Sequence, residues 1–189
     1  MKFRTMMLWA LQQIYCIVIF IFLNIELPRV ISVANAVAFH VNGSTREIFG
    51  SFTASNRTQS KMKIHPTCIR VPVREGHLES ITAVMSEDVD VNQLRERFRN
   101  FGNGSLKARL PTLPEKSVIL IKGEDRPQPL LDVMAGSPER ARGMAVTVGR
   151  LRVSGSRVSF VALVNNLIRG AAGSAVLNAE VLHESGLIT

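Results

Sequence analysis

From residue 64 onward the chain switches repeatedly between the two apolar periodicities, and each switch predicts an element. Residues 67–73 are rich in β-branched side chains but carry Pro72, which has no N–H for a ladder, so they read as an edge or strand-terminal segment. Residues 78–85 predict a strand. Asp90 then serves as an N-cap, and Val91, Leu94, Phe98 and Phe101 fall on one helical stripe that Gly102-Asn-Gly104 stops. A proline-bounded loop at 110–114 leads to a short apolar strand at 117–121. The prolines of Asp125-Arg-Pro-Gln-Pro129 predict extended backbone over 125–129. Residues 135–143, with Gly136, Pro138 and Gly143 among charges, predict a loop. Segments 144–153 and 157–165 alternate as two strands, joined as a hairpin at Ser154-Gly-Ser156. Residues 170–184 predict a closing helix with an apolar stripe of Ala172, Ala175, Val176, Ala179 and Leu182, ended by Gly186. The small residues that open it allow close approach, either to another element or to a nucleotide. The pattern is α+β: a mixed, mostly antiparallel sheet with helices on one face.

The first part of the chain is different. Residues 6–23 are apolar apart from Gln12 and Gln13, and Lys2 and Arg4 precede them. Three readings stand: a secretory signal ending near Ala34-Asn-Ala36, an uncleaved membrane anchor through residues 6–23, or sequence outside the working fold. The expected division is therefore 1–63, a hydrophobic leader and unmatched segment, and 64–189, the folded domain.

Composition narrows the function classes. The 189 residues are 46% apolar and 20% charged, which fits one domain with a substantial core and excludes a disordered or collagenous chain. Lys and Arg number 23 against 15 Asp and Glu, giving a net charge of +8. The excess is scattered: Arg95, Arg97 and Arg99 are interleaved with Glu96 and Phe98, as on a solvated helix face. The single Tyr and single Trp both precede residue 16, so no aromatic stacking platform exists and nucleic acid is not an expected partner. Cys16 and Cys68 do not make a disulfide framework. His65-Pro-Thr-Cys68 has a ligand-like spacing but no second pair, so no metal is expected.

Three further stretches carry chemistry. They are Cys68-Ile-Arg-Val-Pro-Val-Arg-Glu-Gly-His77, Glu124-Asp-Arg-Pro-Gln-Pro-Leu-Leu-Asp132 with Val148-Gly-Arg-Leu-Arg152, and Asn165-Asn-Leu-Ile-Arg-Gly-Ala-Ala-Gly-Ser-Ala-Val-Leu-Asn-Ala-Glu180. In this order and spacing they resemble the aspartate-semialdehyde dehydrogenase family, in its archaeal and fungal form. The resemblance spans residues 64–189 and implies the semialdehyde dehydrogenase dimerisation domain.

That family reduces aspartyl phosphate to aspartate semialdehyde with NADPH, in the cytoplasm, for lysine, threonine and methionine biosynthesis. The resemblance makes His77 the acid/base histidine, a role suited to an imidazole titrating near neutrality. It makes Arg70 the clamp on the substrate carboxylate, for which a planar guanidinium is well shaped. It assigns Asn166 and Gly170 to the cofactor, NADP, since an amide both donates and accepts as a carboxamide requires. Without the motif, Arg70 reads as a surface or interface ion pair and His77 as a loop histidine. A related enzyme, malonyl-coenzyme A reductase, shares fold and chemistry, so malonyl-coenzyme A is the alternative substrate.

Two parts of the family's machinery have no counterpart. Before residue 64 the only glycines are Gly43 and Gly50, so no Rossmann fingerprint is present, and neither cysteine stands in the nucleophile's context. A histidine base without its nucleophile cannot run covalent catalysis. The expectation is a chain inactive alone, forming a homodimer or pairing with a separate nucleotide-binding half. The alternative is a non-catalytic dimerisation or binding module, tethered to a membrane through residues 6–23.

Overall fold

The computed structural model describes residues 30–33, 51–52, 57–58, 61, 63–64, 72–101 and 110–188. The apolar run 6–23, both cysteines, the segment 65–71 and the glycine stop at 102–104 lie outside the described residues. Among the described residues no helix is long and apolar enough to cross a membrane.

A six-stranded sheet organises the fold, in the order β4 (Lys63–Ile64), β1 (Val30–Val33), β5 (His77–Val84), β8 (Arg157–Val164), β7 (Val146–Ser154), β6 (Val118–Leu120). Its inner pairs are antiparallel, while β1/β4 and β6/β7 are parallel, which makes it the mixed, mostly antiparallel sheet expected. A separate pair joins β2 (Ser51–Phe52) to β3 (Arg57–Thr58). β1 comes from the segment read as lying ahead of the domain. It is a four-residue run with no polar alternation to betray it, and it pairs along β5 from Val30↔Val84 to Val33↔Ile81.

Helix α1 (Val91–Asn100) begins where Asp90 accepts from the Asn92 and Gln93 amides at 2.9 and 2.7 Å, satisfying donors that the first turn leaves unpaired. Its Leu94 and Phe98 are buried against Ile81, Ala83, Val118, Val148, Val158 and Phe160. Phe98 meets Phe160 edge-on, with centroids 5.4 Å apart and planes at 74°. Strand alternation turns Ile81 and Ala83 inward and leaves Leu78 and Ser80 exposed on the opposite face.

The structure corrects two expectations. Residue 129 is not extended: Pro129 is the first residue of a short helix, α2 (Pro129–Asp132), the position where a missing N–H costs nothing. The closing helix α3 (Gly173–Glu184) buries Ser174, Leu177 and Val181, not the predicted stripe. Leu177 and Val181 pack with Leu110, Leu113, Ala141 and Met144, the larger side chains winning the core. Ala172, Ala175, Val176 and Ala179 are exposed.

Candidate functional site

β5 begins with His77 and β8 ends with Val164, and these two residues pair across the ladder. The antiparallel register therefore sets Glu75 and Gly76, which lead into β5, beside Asn165 and Asn166, which leave β8. The Gly76 N–H donates to Asn166 Oδ1 at 2.6 Å. Asn165 Nδ2 donates to Glu75 Oε2 at 3.3 Å and touches Met134 Sδ at 3.4 Å. Gly76 adopts φ +104°, open to glycine at little cost, and a Cβ there would stand 3.0 Å from Val133 Cγ2 and 3.1 Å from Leu163 Cδ1.

Asn165 is fully buried. Its Oδ1 accepts from the Leu167 and Ile168 amides at 2.9 and 2.8 Å, and its carbonyl accepts from Gly170 N at 2.9 Å. That last bond and the 3.1 Å bond from Ala172 N to Leu167 O span five residues, so α3 is entered through a π turn, Ile168–Ala172. Gly173 follows, where a Cβ would collide with Met144 Sδ. A Cβ on Gly170, by contrast, would meet, among the described residues, only Asn165 O at 3.5 Å and Asn166 Cβ at 4.0 Å, ordinary contact distances. Beneath the turn the Arg169 guanidinium is buried, and desolvation draws its pKa down to about 10.

The proline-rich stretch forms the floor of the same region. Arg126 Nε donates to Asp132 Oδ2 at 2.7 Å and Nη2 pairs with Oδ1, a bidentate clasp joined by Gln128 N at 2.7 Å. The Arg126 hydrogen bond, aided by the Gln128 amide, outweighs desolvation and holds the Asp132 carboxyl below its ordinary pKa. The clasp closes residues 126–132 into a loop, and the Val133 and Met134 that follow are those that meet Gly76 and Asn165. Gly149 is the position where the Arg126 carbonyl and Pro127 lie too close for any Cβ.

His77 is exposed as a residue, but partial desolvation lowers its imidazole pKa below 6.5. It is therefore neutral at physiological pH and able to accept a proton. His77, Asn166 and Gly170, named from the sequence, are brought to one end of the sheet; Arg70 lies outside the described residues. Asn165, Glu75 and Met134 were not singled out. The available signal was an Asn doublet between a strand and a helix, where Asn side chains bond nearby backbone amides. Among the described residues no three His, Cys, Asp or Glu side chains cluster to hold a metal, and no strand–glycine turn–helix cradles a pyrophosphate.

The family profile "Semialdehyde dehydrogenase, dimerisation domain" matches residues 31–169. Over 144 residues the chain is 38% identical to an aspartate-semialdehyde dehydrogenase of Archaeoglobus fulgidus, covering 75% of this chain and 39% of that protein. Over 130 residues it is 38% identical to a malonyl CoA reductase (NADP) of Metallosphaera sedula, covering 68% and 36%. The solved aspartate semialdehyde dehydrogenase of Candida albicans with NADP shares the fold at a TM-score of 0.69 and 25% identity, covering 85% of this chain and 52% of that one. The chain spans less than half the length of these two curated relatives. With the match covering most of its length, the chain belongs to the semialdehyde dehydrogenase family and carries its dimerisation domain.

Proposed function

We propose that the chain supplies the C-terminal, substrate-binding half of an NADP-dependent aspartate-semialdehyde dehydrogenase, which reductively dephosphorylates aspartyl phosphate. The observation that carries this reading is the convergence of three separate stretches, 75–77, 126–134 and 165–170, on one end of the sheet. His77 exchanges protons with the reacting thiol and thioester, a role its lowered pKa suits. Arg70 clamps the substrate carboxylate. Asn166 fits the nicotinamide carboxamide: its Oδ1 is committed to Gly76, which leaves the Nδ2 hydrogens as donors to a carbonyl. NADP, when bound, supplies the hydride.

Catalysis then depends on a nucleotide-binding half that brings the thiol nucleophile. The exposed Ala172, Ala175, Val176 and Ala179 give that half an apolar helix face to dock on, with Val176 49% exposed. Among the described residues a Cβ at Gly170 would meet nothing closer than 3.5 Å, which leaves room there for the docked half. Leu78 and Ser80, exposed on the sheet face opposite α1, suit a second copy in a cytoplasmic homodimer.

The test is to combine the full chain with the nucleotide-binding half of the Archaeoglobus fulgidus enzyme and follow NADPH absorbance with aspartate semialdehyde and phosphate. NADPH formation by the pair, and none by either half, is expected. Absence of both association and turnover would sink the proposal. The Metallosphaera sedula relative favours one second reading, with malonyl-coenzyme A as substrate. NADPH consumption with malonyl-coenzyme A and not with the semialdehyde would establish it. Dimers without turnover of either substrate would leave the non-catalytic module.

A further inference from the structure

We propose that Asn165 and Asn166 act together as a positioning clamp that fixes His77 from the opposite strand. The inference rests on the reading of His77 as the acid/base group, yet its geometry involves only this chain. Neither asparagine touches the His77 ring in the bonds described above; they hold the two residues that precede it. Asn166 Oδ1 takes the Gly76 N–H at 2.6 Å, and Asn165 Nδ2 reaches Glu75 Oε2 at 3.3 Å. Gly76 sits at φ +104°, where the peptide has many neighbouring conformations open to it, so the chain ahead of His77 has little stiffness of its own. The clamp supplies what the glycine lacks.

Asn165 also caps the π turn through Oδ1, accepting from Leu167 and Ile168, and receives Gly170 N on its carbonyl. One buried side chain therefore sets both the approach to His77 and the entry to α3. A half-buried Asn166 and a fully buried Asn165 divide the work: the first orients, the second joins the histidine loop to the helix that faces the cofactor end. Displacing the π turn displaces the acceptor that orients His77, so docking of the nucleotide-binding half is transmitted to the histidine.

The experiment is NMR on the full chain, with amide hydrogen exchange at Gly76 and the His77 ring titration as readouts. Asn166→Ala leaves net charge unchanged and removes the Oδ1 acceptor together with the rest of the carboxamide. Gly76 exchange is expected to accelerate roughly tenfold, the equivalent of one lost hydrogen bond. The His77 midpoint should rise toward 6.5 as the ring rehydrates, while α1 and α3 exchange stays unchanged. Asn166→Asp keeps an acceptor oxygen and should restore Gly76 protection. Asn165→Ser keeps a capping oxygen but cannot reach Glu75, and should loosen Gly76 to a smaller degree. If that variant fails to fold, the Asn166 pair alone decides. Unchanged exchange and an unchanged midpoint in folded Asn166→Ala would overturn the clamp, as would failure of Asp to outperform Ala. An intact clamp with no turnover in the assembled enzyme would overturn the functional reading and leave the clamp standing.

Discussion

Gly76→Ala places a Cβ where the backbone and the packing both oppose it. At φ +104° an L side chain is strained, a cost of about 1–3 kcal/mol for sparsely populated backbone regions. The new methyl would also lie 3.0 Å from Val133 Cγ2 and 3.1 Å from Leu163 Cδ1, inside the optimum of about 3.5–4.0 Å for carbon pairs. Over-packing of this kind costs about 1–3 kcal/mol, because Leu163 is held in the sheet and Val133 follows directly on α2. Adding the two gives a destabilisation of about 2–6 kcal/mol. Gly170→Ala is the matched control at the same site. Its Cβ meets nothing closer than 3.5 Å, and alanine suits a helical turn better than glycine by up to about 1 kcal/mol. Urea unfolding followed by circular dichroism measures both. The Gly76 variant should show a lower midpoint at unchanged slope, and the Gly170 variant a midpoint equal to or above the parent. A Gly76→Ala variant within about 0.5 kcal/mol of the parent would refute the reasoning, since surface substitutions without a mechanism fall in that range.

Three other perturbations test separate parts of the structure. Phe98→Ala should cost about 3–5 kcal/mol in the same urea assay, because it empties the centre of the α1–sheet core and removes the edge-on contact with Phe160; a smaller loss than for Val176→Ala on the exposed face would contradict the packing. Asp132 has its folded pKa below the unfolded value of about 3.9, so its stabilisation is complete above about pH 5 and is lost as pH falls through the lowered folded value. Asp132→Asn should therefore lower Tm at pH 7 and flatten the fall in Tm below pH 4. His77 also has a folded pKa below its unfolded value, so neutral imidazole favours the fold and stability declines as pH falls from about 6.5 through the lower folded value. His77→Gln should remove the part of the difference in urea midpoint between pH 7.5 and 5.5 that this histidine causes; an identical difference in both proteins would show that it makes no such contribution.

Local chemistry was legible wherever a short stretch decided it. Asp90 followed by an apolar stripe specified α1, and the Ser154-Gly-Ser156 turn specified the β7–β8 hairpin, with Gly155 at φ +57°. His77, Asn166 and Gly170 were legible only through the motif resemblance, since neither periodicity nor charge marks them. β1 was not legible, because four residues carry too little alternation to stand out from an apolar neighbourhood. The face of α3 was misread for a related reason. Ala172, Ala175 and Ala179 make a regular stripe, but they bury less area than Leu177 and Val181, and area decides which face turns inward.

The sequence by itself determined most of the longer elements, the cap of α1, the β7–β8 turn and the family, since these depend on neighbours a few residues apart or on linear motifs. Only the tertiary structure decided that Asn165 is the joint of the site. Its side chain bonds residues 90 positions away through Glu75 and two or three positions away through Leu167 and Ile168. A side chain's partners across a sheet follow from strand register, and register is a property of the packed molecule. The same register puts Gly76 beside Asn166 and gives an unremarkable asparagine pair its hold on His77.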